Sequence, residues 1–138
     1  MKQITFALAL LLTLSASKCT NAPESMSALK DTKWNIETLA GEALQLPADV
    51  ERPWLQLSGE NLQGFNGCNQ LMGQYLLDGK ALSFSSVGST KMYCEGLQAT
   101  ERSVMDMLSK VDSFKLDKDV MKLMGAGKEL ATLKASGE

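Results

Sequence analysis

Residues 71–77 and 80–87 are two runs of alternating apolar and polar side chains on either side of Asp78-Gly79, and this arrangement constrains the fold most. An Asp-Gly loop of two residues suits the positive φ angles of a type I′ turn, whose twist matches that of the flanking strands. The two runs are therefore expected to pair antiparallel. In the second arm Leu82, Phe84 and Ser86 alternate with Ser83, Ser85 and Val87, which predicts one packed and one wetter face.

The same reading extends along the chain from Thr32. Residues 33–39 form a candidate strand with Trp34, Ile36 and Thr38 on one face, ended by Gly41. A polar connection holding Pro47 and Pro53 leads to residues 54–58, where Leu55 and Leu57 point the same way. Gly59-Glu60-Asn61 then turns the chain into residues 62–66. Residues 97–110 read as an amphipathic helix. Leu97, Val104, Met107 and Leu108 fall at helical spacing, and Thr100 is a candidate cap for a later start. Three short strands follow at 113–116, 120–124 and 129–134. The predicted class is a β-rich α+β domain: a curved, mostly antiparallel sheet or open barrel of about seven or eight short strands with one amphipathic helix.

The amino terminus reads as an address. Lys2 precedes the apolar run 4–14, which is shorter than the roughly 20 residues that span a bilayer, and the small residues Ser15, Ala16 and Ser17 follow. Two processing routes are open: lipoprotein cleavage before Cys19, or ordinary cleavage at the small-x-small pair Ser15 and Ser17. The expected division is a signal peptide at 1–18, a polar tether at 19–31 and one domain at 32–138. A lipid on Cys19 would hold that domain to a membrane through acyl chains, and the protein is expected to be exported to the periplasm or cell envelope. Loss of Lys2 and Lys18 with the signal peptide moves the formal charge from −2 to −4.

Composition excludes several chemistries. The chain has no histidine, so no Ser-His or Cys-His pair, no imidazole ligand and no histidine pH switch is available. Its small negative charge offers no footprint for nucleic acid. Export places Cys68 and Cys94 where a disulfide persists. A bridge across their separation of 26 residues is worth about 3 to 4 kcal/mol of loop-closure entropy. Two buried free thiols are the alternative.

Gly64, Gly67 and Asn69 around Cys68 could cradle a ligand with backbone donors. The favoured reading is a turn and bulge in which Asn69 bonds local backbone and positions Cys68. Met92, placed with Cys94 on one strand face, and the other methionines raise a soft-metal site for copper, although Met105, Met107, Met121 and Met124 fit core positions. Carboxylates fall at turns and solvent faces, and the serines lack a nucleophile elbow, so no enzyme and no cofactor is expected.

Three signatures occur in order: Trp34-Asn35-Ile36-Glu37-Thr38-Leu39-Ala40-Gly41; Gly64-Phe65-Asn66-Gly67-Cys68-Asn69 followed by Gly73-Gln74-Tyr75; and Thr90-Lys91-Met92-Tyr93-Cys94. With the closing hairpin at 120–133 they resemble the META domain family in its HslJ-like bacterial form over residues 32–134. The resemblance implies a β-rich fold, export, frequent lipid anchoring, and association with heat shock, envelope stress or antibiotic tolerance, with no established catalytic residues. It makes Trp34, Gly64, Gly67, Asn69, Gly73, Thr90 and Met92 structural motif positions. The expected role is a noncatalytic envelope protein, monomeric, with an unidentified envelope partner. The contrasting role is a small-molecule or copper carrier using the interior of the curved sheet.

Overall fold

The computed structural model describes residues 22–137, so the signal peptide expected at 1–18 and the lipid site expected at Cys19 lie outside the described residues. The elements are α1 (Ala22–Leu29), β1 (Trp34–Leu39), β2 (Glu42–Ala43), β3 (Trp54–Ser58), β4 (Asn61–Phe65), β5 (Gln70–Asp78), β6 (Ala81–Ser89), α2 (Gln98–Lys110), β7 (Ser113–Asp117), β8 (Val120–Gly125) and β9 (Lys128–Ala135). From β3 to β9 each strand pairs antiparallel with the next, and β1 joins β3 on one side and β9 on the other. The sheet closes into a ring. Two-residue β2 hangs on the end of β1 as a ninth strand. Closure leaves few strand edges bare, which protects an all-antiparallel sheet from edge-to-edge association.

Period-2 patterning explains what fills the ring. Leu55 and Leu57 are buried on β3 while Trp54, Gln56 and Ser58 are half-buried, and Trp34 and Ile36 are buried on β1. Leu62, Leu82, Leu123 and Leu133 complete a continuous core. Burying each aliphatic side chain contributes about 1.5–3 kcal/mol. One end of the ring is covered by α2, whose Val104, Met107 and Leu108 join this core. At the other end Leu29, fully buried, enters beside Trp34, whose indole N–H donates to the Leu29 carbonyl at 3.1 Å. Asp31 continues that contact by donating its N–H to Leu57 at 2.7 Å.

This corrects the polar tether expected at 19–31, because the packed domain begins before residue 32. Ala22–Leu29 is helical and contributes a core side chain. An eight-residue helix is too short to hold itself in water, so its order comes from Leu29 and the Trp34 hydrogen bond. On α2, Thr100 lies inside the helix and is not its cap. Leu97 occupies the cap position without a side-chain bond, and its carbonyl accepts from the Glu101 N–H at 2.9 Å.

The β5–β6 hairpin forms with its loop one residue later than expected. Asp78 pairs with Ala81, so Gly79-Lys80 is the loop. Gly79 has φ 57° and Lys80 is not among the residues of positive φ, which is the demand of a type II′ turn with glycine first. Further along β6 the register shifts opposite residues 72–74, with Ser86 at φ 51°. That bulge breaks the simple alternation: Ser86 is exposed and Val87 packs against the core. Between β6 and β7 a single residue pair remains, Ala81 with Ser113, flanked by bonds from Leu82 N–H to Asp112 and from Phe114 N–H to Lys80. Helix α2 is the crossover at this narrow seam.

The β8–β9 loop, Ala126-Gly127, has positive φ at both residues, 49° and 73°. The Asp112 carboxylate lies beneath it, accepting the Ser113 hydroxyl at 2.7 Å and the Ala126 N–H at 2.8 Å. These bonds, Ser113's first, hold the Asp112 pKa below its ordinary value. A carboxylate with a depressed folded-state pKa stabilises above its unfolded pKa, and this contribution is lost as pH falls through the folded value. Left-handed alanine costs about 1 kcal/mol that asparagine largely avoids. Ala126→Asn keeps the backbone N–H and is expected to raise unfolding free energy by about 0.5 to 1 kcal/mol in urea titration; an unchanged or lower midpoint would contradict the turn assignment.

Candidate functional site

The second and third sequence signatures meet at the α2 end of the ring. Residues 66–69 turn from β4 to β5, and residues 90–97 lead from β6 into α2. Cys68 and Cys94 join them, with a Cα–Cα distance of 5.8 Å. The expected bridge is present, and the free-thiol alternative is set aside. Beside it lies Asn69, 2% exposed, whose side chain is used in full. Its Oδ1 accepts from Met92 N–H at 2.7 Å and from Thr90 Oγ1 at 2.9 Å; its Nδ2 donates to Met92 O at 3.2 Å and to Glu101 Oε2 at 3.0 Å. One buried amide therefore holds a loop and the first turn of α2 together.

Asn69 thus reaches across to a remote loop, where the sequence reading gave it local backbone partners. The local task falls to Asn66, 1% exposed, whose Oδ1 accepts from the N–H groups of Cys68 and Asn69 at 3.2 and 2.7 Å. Sequence reasoning passed over Asn66 and Glu101. An Asx turn was signalled by Asn66-Gly67, but nothing local marks Glu101 as a partner of Asn69. Among the described residues no buried side-chain nitrogen or oxygen lacks a partner. The cluster is saturated, which leaves no inward donor for a guest.

The glycines have structural reasons. A Cβ on Gly64 would lie 2.7 Å from the Trp54 carbonyl oxygen, so only glycine lets β3 and β4 approach. Gly73 pairs with Leu62 beside the β5–β6 bulge, and Gly67 takes φ 104° in the turn where Pro53 and α2's Thr100 come near. These positions favour the turn-and-bulge reading over the ligand cradle. Trp34 takes no part in the cluster; its indole N–H is used by the Leu29 carbonyl. Residues 90–94 form a loop, so Met92 and Cys94 do not share a strand face as expected. With both cysteines in the bridge they supply no thiolate to a soft metal, and Met92 is 63% exposed.

The interior of the ring is occupied by the core side chains, and grooves lie on its surface. One, of about 510 Å³, runs between α2 and the β1–β2 turn, with Leu39, Leu44, Met107 and Leu130 below and Asp106 and Lys110 at the rim. The Asp106–Lys110 pair at 2.6 Å is solvent-exposed.

The META domain model matches residues 27–137, and its span begins with α1's last turn, as the packing does. The chain belongs to the META domain family. Two solved structures share the META fold seen here. The NMR structure of a protein from Burkholderia xenovorans is 26% identical with a TM-score of 0.66, covering 100% of both chains. A second NMR structure is 20% identical with a TM-score of 0.63, covering 78% of this chain and 92% of the other. No curated protein matches. Within this META domain the Asn69 cluster ties the β4–β5 turn to residues 90–92 and to α2. Asn69→Ala strands four partners, two of them backbone groups of Met92, and is expected to cost about 2 to 4 kcal/mol. Denaturant titration checks it; a loss below about 0.5 kcal/mol would remove the cluster's structural role.

Proposed function

We propose that this META domain is a noncatalytic module of the cell envelope, anchored by lipid on Cys19, that binds or steadies another envelope protein under stress. Family membership supports an envelope-related, noncatalytic role in general terms. The single observation that carries the binding reading is a set of large apolar side chains left in solvent: Met72, Leu76, Met92 and Tyr93 are 59%, 72%, 63% and 80% exposed. None of the four joins this domain's own core, and tyrosine and methionine are enriched at protein contacts relative to the rest of a surface. The carrier reading draws less support, because the ring's interior is filled.

The anchoring part rests on sequence and spacing. Cys19 precedes the first described residue, Ala22, by three positions, at most about 11 Å of extended chain. A lipid there keeps the Leu29 end of the ring close to the membrane. Cys19→Ser in the full chain is expected to move the protein from the membrane fraction to the soluble envelope fraction. Mass spectrometry of the amino-terminal peptide is expected to lose the acyl mass. An unmodified Cys19 in the native protein would show the anchor to be absent and leave the binding reading in place.

A further inference from the structure

The loop 90–94 combines a backbone tied at several points with two large side chains left in solvent. Asn69 accepts the Met92 N–H and donates to the Met92 carbonyl, so that residue's peptide groups are fixed from both sides. Thr90 is tied at its hydroxyl to Asn69 and at its N–H to the Gln70 carbonyl at 3.1 Å. Cys94 is bonded covalently to Cys68, and its carbonyl accepts from Gln98 Nε2 at 2.9 Å and from Leu97 N–H at 3.2 Å. Between these fixed points Met92 and Tyr93 project with 63% and 80% of their surface in water.

Folding alone does not require this. A loop whose only task is to connect β6 to α2 can carry polar side chains at its tip. Large side chains on a rigid backbone are what recognition favours: the entropy of ordering the loop is lost on folding and is not charged again on binding. Tyrosine with methionine also supplies an aromatic anchor beside an adaptable apolar one.

Resting on the binding reading above, we propose that Met92 and Tyr93 form a preorganised docking tip that inserts into an uncharged apolar pocket of a protein partner. Two observations choose a protein over a lipid surface. The tip lies beside the Cys68–Cys94 bond at one end of β4, whereas the amino-terminal segment joins the β3–β4 hairpin at its other end, Lys30 pairing with Leu57 and Asp31 bonding Ser58, so a chain tethered through its amino terminus holds the tip away from that membrane. The charges around it also balance. Lys91 and Arg102 are matched in number by Glu95 and Glu101, the last bonded to Asn69, so no cationic excess exists to hold anionic headgroups. A neutral apolar pocket is the complement of such a tip.

Site-specific photocrosslinking of the full chain, in the cells that make it, tests this. A photoreactive phenylalanine is placed at Tyr93 and, in a second strain, at Leu76, equally exposed on the wall of β5. The expected result is one discrete protein adduct from position 93 and none from position 76. Met92→Asp, whose thermal midpoint should stay at the wild-type value because the side chain is exposed, should cut the adduct at least tenfold, and Met92→Leu should restore it. An adduct from position 76 alone would overturn the tip and leave partner binding standing. No protein adduct from either position would overturn both. Adducts at 93 with lipid, with a second copy of this chain, or with a protein indifferent to Met92→Asp would each overturn the tip.

Discussion

Residues 66–69 and 90–101 are joined twice, by the Cys68–Cys94 bond and by the four hydrogen bonds of Asn69, and the α2 half of the molecule depends on this junction. The ring is continuous in hydrogen bonds from β7 through β9, β1 and β3 to β6, but between β6 and β7 it holds by one residue pair. That gap is where the chain leaves the sheet to form α2. A helix inserted at a narrow seam has to be fixed at both ends. Its core face does part of this through Val104, Met107 and Leu108, and the junction fixes its start. A buried amide with every donor and acceptor used suits this task, since any displacement leaves polar groups unpaired in a dry setting.

The two ends of the ring have different characters. At one, Leu29 and the Trp34 indole close the core by ordinary packing around the entering chain. At the other, the clamp, α2 and the exposed Met92 and Tyr93 lie together. Stability and presentation therefore come from the same residues. The chemistry that makes the α2 end rigid is also what sets two apolar side chains in solvent at a defined position.

Much of this was legible in the sequence, and what was not has physical reasons. Alternation placed Leu55 and Leu57 inside β3, and helical spacing placed Val104, Met107 and Leu108 on the buried face of α2. Export logic pointed to the Cys68–Cys94 pair. Closure of the ring was not legible, because Trp34 and Ala135 meet across nearly the whole domain and nothing local encodes that pairing. The slip of the β5–β6 loop turns on whether Lys80 takes positive φ, a choice that Asp78-Gly79 does not settle. The Ser86 bulge reverses which side chains face the core beyond it, and a strict period of two has no place for it. α1 was read as tether because a short segment with one core leucine carries too little periodicity. Asn69 was identified as a motif residue, but its partners lie 21 to 32 positions away, so its reach became visible only in the fold.

Amide hydrogen exchange followed residue by residue, before and after reduction of the Cys68–Cys94 bond, addresses the junction most directly. If the junction holds the helix crossover, reduction should speed exchange at Met92, Glu101, Leu82 and Phe114 at least tenfold more than at Asp31 and Ala135, which bond Leu57 and Asp119 away from the junction. An equal acceleration at all six amides would mean that the bond acts only on global stability, and unchanged exchange at Met92 would contradict its place at the centre of the fold.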